Sequence, residues 1–428
     1  MIRGGRVINP AAGVDAVMDM RIADGRIEAL GEHIPVRGGE IVLDAAGKCV
    51  MPGFIDLHVH FRDPGQTHKE DIATGSAAAA AGGYTCVCAM PNVTPPADCG
   101  EAIAYAHDKA KAVGLCRVFQ VGAITRGMEG KELSDIDGMV RSGAMALSED
   151  GKSVMNSALL RAAMKKAKQS GIPIFSHCED INLVEGGVMN GGKRADALGL
   201  SGITNAVENI IAARDIMLAE ETGAMLHLCH CSTKESADML RDAKSKGIRV
   251  TGEVCPHHFT LTEDDIPDAN DANYKMNPPL RTKEDRKALR EGLRQDIFDV
   301  ISTDHAPHTA EEKAKGFAGA PFGIVGLETA AALTYTELVL GGVLTLSQMA
   351  EKMSVNPAKI LRFDRGDISV GKAADIVVFD TQAEYEIRAA VFKGKAKNMP
   401  YEGRRVKGKV CATILDGRIV FCDGKIKK

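Results

Sequence analysis

The 428-residue sequence lacks an excess of charge of one sign, since 53 basic and 57 acidic residues give a formal net charge of -4. No basic run resembles a surface that tracks phosphates, which argues against nucleic acid as a partner. An apolar run of about 18 residues is also missing, so no transmembrane helix is expected. The first residues, 1–6, have neither the apolar segment nor the cleavage site of a signal peptide. We therefore expect a chain that works away from membranes and nucleic acids.

Metal-binding or redox pairs of cysteines are missing as well. The 11 cysteines are an odd number spread along the chain. The pairs Cys86/Cys88 and Cys229/Cys231 lie in apolar runs and lack the two-residue gap of a zinc knuckle or a redox dithiol. Neighbours on one face of a strand are poorly placed to bridge each other. The cysteines are interpreted as reduced core residues, which favours a cytoplasmic location.

Short apolar runs alternate with Ala-, Lys- and Glu-rich stretches from about residue 54 onward. The runs predict eight strands, at 54–60, 84–90, 117–122, 144–148, 172–177, 224–230, 248–254 and 298–304. The stretches between them predict helices, among them 70–82, 101–112, 157–169, 205–222, 233–246 and 284–294. Eight such units over roughly 250 residues predict a (β/α)8 TIM-type barrel spanning 52–364. A doubly wound open sheet is the competing architecture, but the glycine fingerprint of a dinucleotide turn is absent after the first strand.

The two ends of the chain differ from the middle and resemble each other. Residues 20–30 and 412–421 each contain a short β run, an Asp-Gly pair and a second β run, which is the pattern of a hairpin. A further β run covers 374–380. We expect residues 1–51 and 365–428 to join into one small accessory domain, a composite β-sandwich beside the barrel.

Two histidines stand two residues apart at the end of the first predicted strand. Because strand side chains alternate, His58 and His60 share one face with Asp56, where Asp56 could anchor His58. Two imidazoles on one face form a metal-ligand arrangement. A barrel of this type carries its active site at the C-terminal ends of its strands, so polar residues there are the first candidates. The further candidates at strand ends are Asn92, Asp150, His177, His230 and Asp304.

Four histidines and two aspartates at one rim predict a metal centre. Mixed imidazole and carboxylate ligands suit zinc, with manganese and cobalt as the alternatives. Six ligands exceed what one tetrahedral zinc ion with an open position uses, so we expect two ions about 3.5–4 Å apart. Asp150 is assigned as their bridge, together with a hydroxide. The other ligands divide between the ions, with His58, His60 and Asp304 on one and His177 and His230 on the other.

Eight short motifs occur together along the chain. They are His58-Val59-His60-Phe61-Arg62-Asp63-Pro64-Gly65, Met90-Pro91-Asn92, Ser148-Glu149-Asp150-Gly151, His177-Cys178-Glu179, Leu228-Cys229-His230-Cys231-Ser232, Met276-Asn277-Pro278-Pro279-Leu280-Arg281, Thr303-Asp304-His305-Ala306-Pro307-His308 and Pro321-Phe322-Gly323. In this combination the sequence resembles the amidohydrolase superfamily and, within it, the bacterial class I dihydroorotases, over nearly its whole length. The resemblance implies reversible, metal-dependent hydrolysis of the cyclic amide of (S)-dihydroorotate to N-carbamoyl-L-aspartate, a step of pyrimidine synthesis.

The resemblance also implies roles for individual residues. Asp304 would move a proton between the attacking water and the departing ring nitrogen. Arg62 would hold the substrate's carboxylate with its planar fork, and strand alternation from His60 is expected to aim it at the barrel mouth. The remaining implied substrate contacts are Asn92, Asn277, His308, Phe322 and Gly323. A homodimer and a possible aspartate transcarbamoylase partner are further expectations from the family.

Four other features are interpreted without a chemical role. His227 and the pair His257-His258 are taken as structural, and His305 is expected to brace the loop beside Asp304. The Gly- and Lys-rich segment 309–323 looks mobile, and its closure over the site is a hypothesis.

The strongest alternative is another cyclic amide hydrolase, an allantoinase or a hydantoinase-type dihydropyrimidinase. Many such relatives carry a carboxylated lysine after the fourth strand, whereas residues 143–150 contain no lysine and end in Asp150. Arg62 also argues against a hydantoinase-type pocket. A second alternative is an inactive dihydroorotase-like partner of aspartate transcarbamoylase. Such copies tend to lose metal ligands, and here all six candidates are present.

Overall fold

A computed structural model describes residues 1–427. The strands are β1 (Ile2–Asn9), β2 (Val14–Ala23), β3 (Arg26–Gly31), β4 (Leu43–Asp44), β5 (Cys49–Pro52), β6 (Phe54–Val59), β7 (Tyr84–Ala89), β8 (Arg117–Gln120), β9 (Gly122–Ala123), β10 (Leu147–Ser148), β11 (Ile174–Ser176), β12 (Met189–Asn190), β13 (Gly202–Ile203), β14 (Leu226–Leu228), β15 (Val250–Val254), β16 (Val300–Ile301), β17 (Ile376–Glu386), β18 (Arg405–Leu415), β19 (Arg418–Cys422) and β20 (Lys425–Ile426). The helices are α1 (Ile72–Ala81), α2 (Gly100–Val113), α3 (Ile136–Arg141), α4 (Ser157–Ser170), α5 (Lys193–Leu198), α6 (Asn205–Thr222), α7 (Lys234–Ser245), α8 (Pro256–Thr260), α9 (Lys283–Arg294), α10 (Ala310–Lys313), α11 (Gly316–Gly319), α12 (Ala330–Thr334), α13 (Leu346–Ala350) and α14 (Asn356–Leu361). Across this part of the chain, no helix has both the length and the apolar character that crossing a membrane requires.

The predicted strands form a closed parallel barrel, which confirms the predicted fold class. One run of parallel pairs joins β6, β7 and β8, and a second joins β9, β10, β11, β14, β15 and β16. β8 and β9 are two halves of one strand interrupted at Val121, whose N–H donates to the Ala89 carbonyl. The ring closes where Val59 forms a parallel bridge with His305, beside a 2.8 Å hydrogen bond from the His60 N–H to the His305 carbonyl.

The six predicted helices match α1, α2, α4, α6, α7 and α9 to within two residues at each end, but several strands are shorter than predicted. β14 and β16 end before the residues that the sequence placed in them, His230 and Asp304. These two residues have φ of 33° and 48°, in the left-handed region that extended strands do not use. The strands therefore end early because the chain turns sharply to bring these side chains over the barrel mouth.

Strands from both ends of the chain form one nine-stranded sheet beside the barrel. Its order is β20-β19-β18-β17-β5-β1-β2-β3, with β4 paired to β1. The two predicted hairpins are β2–β3 and β18–β19, whose Asp24-Gly25 and Asp416-Gly417 turns have positive φ at both positions, as a type I′ turn requires. The N- and C-terminal parts meet where β5 pairs with β17. The domain boundaries at 51/52 and 364/365 and the sandwich form stay predictions.

The barrel interior is a packed core and not a pore. Cys86, Cys88 and Cys229 lie in it, in one buried cluster with Leu57 and Phe175. All 11 cysteines are unpaired in the part of the chain that the structure describes. The thiols near the barrel axis therefore act as small apolar side chains beneath the site.

Candidate metal centre

Four imidazoles surround the carboxylate of Asp150, which follows β10. His58 Nε2 lies 3.1 Å from Asp150 Oδ1, and His60 Nε2 lies 3.4 Å from Oδ2. On the other side, His177 Nδ1 lies 3.5 Å and His230 Nε2 lies 3.7 Å from Oδ1. All five side chains are buried. The carboxylate thus stands between a pair of imidazoles from the end of β6 and a second pair from the ends of β11 and β14.

Asp304 adds a second carboxylate to this cluster. Its Oδ1 lies 3.1 Å from His60 Nε2 and 3.6 Å from His58 Nε2. Two groups of three donors have ligand atoms within 4.8 Å of one another, namely His58, His60 and Asp304, and His58, Asp150 and His230. His58 Nε2 and Asp150 Oδ1 are buried and have no hydrogen-bond partner among residues 1–427. Because buried polar atoms are ordinarily paired, these two atoms and their neighbours fit a bound divalent cation.

The charges of the cluster are strongly coupled. Burial disfavours the anionic form of Asp150, but the surrounding imidazoles, His58 foremost, hold its pKa well below the usual range. Burial also disfavours a charged His58, yet Asp150 raises the pKa of this imidazole. Burial likewise opposes ionisation of Asp304, but the hydrogen bond with His60 and the charges of the nearby imidazoles together outweigh it and lower the pKa of Asp304 to about 2. Both carboxylates are therefore anionic, the form in which they bind cations.

Arg62 reaches the site by a left-handed turn. β6 ends at Val59, and Arg62 has a φ of 59°, so the prediction that strand alternation would aim it is wrong. It nevertheless lines the cavity above the cluster, where its Nε donates to the Pro307 carbonyl at 3.3 Å and its Nη2 lies 3.3 Å from His308 Nε2. Burial lowers the pKa of Arg62 to about 10. Within residues 1–427 no carboxylate oxygen lies within 4.0 Å of it, so it is a buried cation without a direct ion pair, and only the more distant Asp304, Asp150 and Glu312 carboxylates favour its charge.

The cavity above the cluster has a volume of about 200 Å³. The six residues predicted to contact substrate all line it, namely Arg62, Asn92, Asn277, His308, Phe322 and Gly323. Asn92 Oδ1 lies 2.8 Å from His60 Nδ1 and so holds the ring with its Nε2 facing the carboxylates. A larger cavity of about 590 Å³ adjoins the first and shares His308 with it. The volume of the site cavity thus suits one small ring.

Two buried glutamates that sequence reasoning missed hold the imidazoles. Glu253, on β15, lies 3.0 Å from His58 Nδ1 through Oε1 and 3.0 Å from His227 Nε2 through Oε2. Glu179 lies 3.2 Å from His177 Nε2 and accepts a 2.7 Å hydrogen bond from Asn277. Each carboxylate fixes the orientation of an imidazole beside Asp150. The His177-Cys178-Glu179 motif contains one of them, but nothing near Glu253 in the sequence separates it from an ordinary strand residue.

Neighbouring residues hold the loops in place. The Asp56 carboxylate accepts the N–H groups of His58 and Thr303, and His305 Nδ1 accepts the Gly326 N–H at 3.2 Å. The segment 309–323 contains two short helices, α10 and α11. The buried Lys313 ammonium donates to the carbonyls of Pro321 and Gly323, so the end of this segment is tied beside the cavity.

Comparisons with known proteins identify the family to which this chain belongs. Residues 47–236 match a family model described as dihydro-orotase-like, and 318–421 match one described as the amidohydrolase family. A dihydroorotase from Pelotomaculum thermopropionicum is 48% identical over 100% of this chain and 99% of its own length. A dihydroorotase from Geobacter metallireducens is 47% identical over 98% and 99%.

Solved structures show the same fold at lower identity. An L-hydantoinase (dihydropyrimidinase) from Arthrobacter aurescens superimposes with a TM-score of 0.88 at 25% identity, covering 100% of this chain and 97% of its own. A D-hydantoinase from a Bacillus species gives a TM-score of 0.87 at 26% identity, covering 100% and 96%. The amidohydrolase superfamily is metal-dependent, and this chain has the clusters to bind metal. Full-length identity near 48% to curated relatives shows that the chain belongs to the dihydroorotase family of amidohydrolases.

Proposed function

We propose that this protein is a dihydroorotase that reversibly hydrolyses the cyclic amide of (S)-dihydroorotate to N-carbamoyl-L-aspartate. The observation that carries the proposal is the buried Arg62 guanidinium, which faces a cavity of about 200 Å³ without an anionic partner. A buried unpaired cation is costly, so this position calls for an anionic ligand. Dihydroorotate has a carboxylate on the carbon next to one ring nitrogen, and a planar guanidinium can hold it with two hydrogen bonds.

The proposed metal ligands are the six residues predicted from the sequence. We assign two zinc ions per chain, bridged by Asp150, because one carboxylate with imidazole pairs on both sides supports two adjacent ions. His58, His60 and Asp304 would hold one ion, and His177 and His230 the other. When bound, such ions polarise an amide carbonyl and lower the pKa of a coordinated water towards 7.

Asp304 is the proposed proton carrier. Its carboxylate lies beside His60 and lines the cavity, within reach of both the attacking water and the scissile bond. In hydrolysis the water oxygen bonds to the ring carbonyl carbon while Asp304 takes the released proton. The carbon–nitrogen bond then breaks, and Asp304 delivers that proton to the departing nitrogen. In synthesis the same residue must begin protonated.

The rest of the cavity would orient the ring. Asn92, Asn277 and His308 offer side-chain hydrogen-bonding groups, and Phe322 and Gly323 would flank the ring edge. Of their backbone groups, the Phe322 N–H is available to the ring, because the Phe322 carbonyl lies 2.8 Å from His308 Nε2 and the Gly323 N–H and carbonyl bond to Lys275, Lys313 and Asn398. The rival cyclic amides allantoin and dihydrouracil lack a carboxylate on the ring. The unpaired Arg62 therefore favours dihydroorotate over both.

We also propose a cytoplasmic homodimer, with aspartate transcarbamoylase as a possible further partner. Ile210 and Met217, seven residues apart on α6, are 48% and 68% exposed, and we place the proposed subunit contact at this face of the helix. Sedimentation of the purified protein, alone and with a transcarbamoylase, tests both assemblies.

The test of the proposed function is dihydroorotate hydrolysis, followed by loss of ring absorbance in the ultraviolet, on protein whose metal content is measured. Asp304→Ala should lose activity. The matched control is Asp299→Asn, because Asp299 lies at the opposite end of the same strand and pairs with Lys244. Activity that survives in Asp304→Ala would contradict the proton-carrier role. Hydrolysis of allantoin or dihydrouracil in preference to dihydroorotate would contradict the substrate.

A further inference from the structure

The C-terminal part of the chain sends one segment back to the barrel mouth. Between β17 and β18 the chain leaves the nine-stranded sheet, and residues 387–404 run beside the barrel. Ala396, Met399 and Tyr401 from this segment are buried in one cluster with Phe317 and Val325, which flank the cavity loop. Sequence reasoning had placed residues 387–404 in the accessory domain beside the barrel. Within this segment, Asn398 contacts the loops that line the cavity.

The Asn398 side chain joins two cavity loops through three hydrogen bonds. Its Nδ2 donates to the Gly323 carbonyl at 3.0 Å and to the Ala306 carbonyl at 3.3 Å. Its Oδ1 accepts the His308 N–H at 3.1 Å. Its own backbone carbonyl accepts the Val325 N–H at 2.9 Å. With only 5% of its surface exposed, Asn398 has its hydrogen bonds committed to these two loops.

The loops it joins are the ones that face substrate. Ala306, His308 and Gly323 all line the cavity, and Arg62 contacts the first loop through Pro307 and His308. The loops also touch directly, since a Cβ at Gly323 would lie 2.6 Å from the Ala306 Cβ. Lys313 shares the Gly323 carbonyl, but the Ala306 carbonyl and the His308 N–H are held by Asn398. A change at Asn398 would therefore act on the pocket that surrounds the Arg62 guanidinium.

The segment that carries Asn398 is itself anchored to the barrel. The buried Glu70 carboxylate accepts the Lys395 N–H at 3.1 Å. Glu328 accepts the Lys393 N–H at 2.7 Å and the Gly394 N–H at 3.1 Å. A Cβ at Gly394 would lie 2.8 Å from Glu70 Oε2, so the backbone packs tightly against this anchor. The segment thus offers Asn398 from a fixed support.

We propose that Asn398 is a positioning residue of the active site, which holds loops 306–308 and 321–323 in the arrangement that binds the substrate's carboxylate. This inference rests on the proposed function for the identity of the substrate. It makes the C-terminal segment a part of the binding pocket. The residue acts through the loops and through His308 and Arg62, so its loss should weaken substrate binding and leave the metal cluster intact.

The test compares Asn398→Ala and Asn398→Asp with wild type. Asp keeps the shape and one acceptor but replaces both donors with an anion facing two carbonyl oxygens. If Asn398 positions the loops by hydrogen bonding, both variants should raise KM for dihydroorotate about tenfold or more, with Asp at least as harmful as Ala, while kcat falls less and metal content is unchanged. If it only fills space, the Asp variant should behave like wild type, which would overturn the proposal.

The matched control is Asn9→Ala. Asn9 is equally buried and ties two segments of the β sheet domain through Asp367 and Ser369, away from the cavity. It should lower the melting temperature without raising KM, and an equal rise in KM would overturn the proposal. If Asn398→Ala does not fold, Asn398→Ser takes its place.

A measurement without turnover separates this inference from the proposed function. Hydrogen exchange at the amide of His308, whose N–H the Asn398 side chain accepts, should accelerate about tenfold in metal-loaded Asn398→Ala and stay at the wild-type rate in Asn9→Ala. Accelerated exchange in a protein that does not hydrolyse dihydroorotate would support the positioning role of Asn398 and refute the proposal that dihydroorotate is the substrate. Unchanged exchange in an active enzyme would refute the positioning role alone.

Discussion

Replacing Arg62 by methionine should separate stability from function. The side chain is 8% exposed, and burial lowers its pKa from 12.5 to about 10. A cation whose pKa is lower in the folded than in the unfolded chain lowers the free energy of unfolding at every pH at which it is charged. For Arg62 this range includes neutral pH. The shift corresponds to a cost of about 3 kcal/mol. Methionine has a similar length and avoids this cost.

The hydrogen bonds that Arg62→Met removes from the folded protein are weak compared with this cost. The two contacts of the guanidinium, with the Pro307 carbonyl and with His308 Nε2, are both long at 3.3 Å. Together they contribute about 1–2 kcal/mol. We therefore expect the free energy of unfolding of ligand-free Arg62→Met to rise by about 1–2 kcal/mol. Substrate binding should weaken by about 3–5 kcal/mol, which is a rise in KM of roughly 10²- to 10⁴-fold.

The assay combines calorimetric melting with dihydroorotate hydrolysis, on samples of matched metal content. The control is Arg281→Met, because Arg281 is 4% exposed but donates to the carbonyls and side chains of several neighbours, including Ile203 and Asn190. That variant should be destabilised by about 3 kcal/mol or more, since it leaves buried acceptors unpaired. An Arg62→Met protein that melts as low as Arg281→Met, or that keeps the wild-type KM, would refute the reasoning.

The remaining predictions concern metal retention, direction and pH. Glu253→Gln should weaken zinc binding about 10- to 100-fold, because the amide holds His58 less firmly, and competition with a chelator measures this. Because Asp304 must be ionised for hydrolysis and protonated for synthesis, the two rates should change with pH in opposite senses, and parallel pH profiles would count against its role. Burial raises the pKa of Glu328 from 4.5 to about 7. Between these pH values the Glu328 carboxyl is protonated in the folded chain and ionised in the unfolded chain. The free energy of unfolding therefore falls as the pH rises from about 4.5 to 7. Urea unfolding at pH 5 and pH 8 measures the difference in free energy of unfolding between the two pH values. Glu328→Gln should reduce this difference by about 2–3 kcal/mol, and a difference equal to that of wild type would contradict the prediction.

Much of the fold could be predicted because its signals are local. Alternating apolar runs and helical stretches repeat eight times, so the barrel and six of its helices follow from periodicity alone. The two Asp-Gly hairpins are equally local, because a type I′ turn needs residues that tolerate positive φ. The early ends of β14 and β16 were missed, since the left-handed turns at His230 and Asp304 leave no pattern in the sequence. Those turns are set by what the side chains meet across the barrel.

The residues of the candidate site could also be predicted in large part from local signals. Motifs at the strand ends point to His58, His60, Asp150 and their partners, because parallel strands of a barrel end at one rim. Arg62 was found for the wrong geometric reason, since it follows a left-handed turn. Glu253 and Asn398 were missed because their partners lie 195 and 90 residues away along the chain. Neither residue differs from ordinary strand or loop residues until the chain is folded.

The sequence by itself determined the chemistry of this protein, which is a barrel with imidazoles and carboxylates at its mouth and an arginine beside them. Spacing of two in strands and recurrence at strand ends are enough to place the imidazoles and carboxylates, because both depend only on backbone geometry, whereas the arginine was identified from its motif. Tertiary structure alone decided that Arg62 is buried without an anionic partner, that Glu253 holds His58, and that the C-terminal segment reaches back to the cavity. Each of these depends on which groups, far apart in the sequence, the fold brings together in a small volume without water. In such a volume, a charge or a polar group without a partner costs free energy that it would not cost in water.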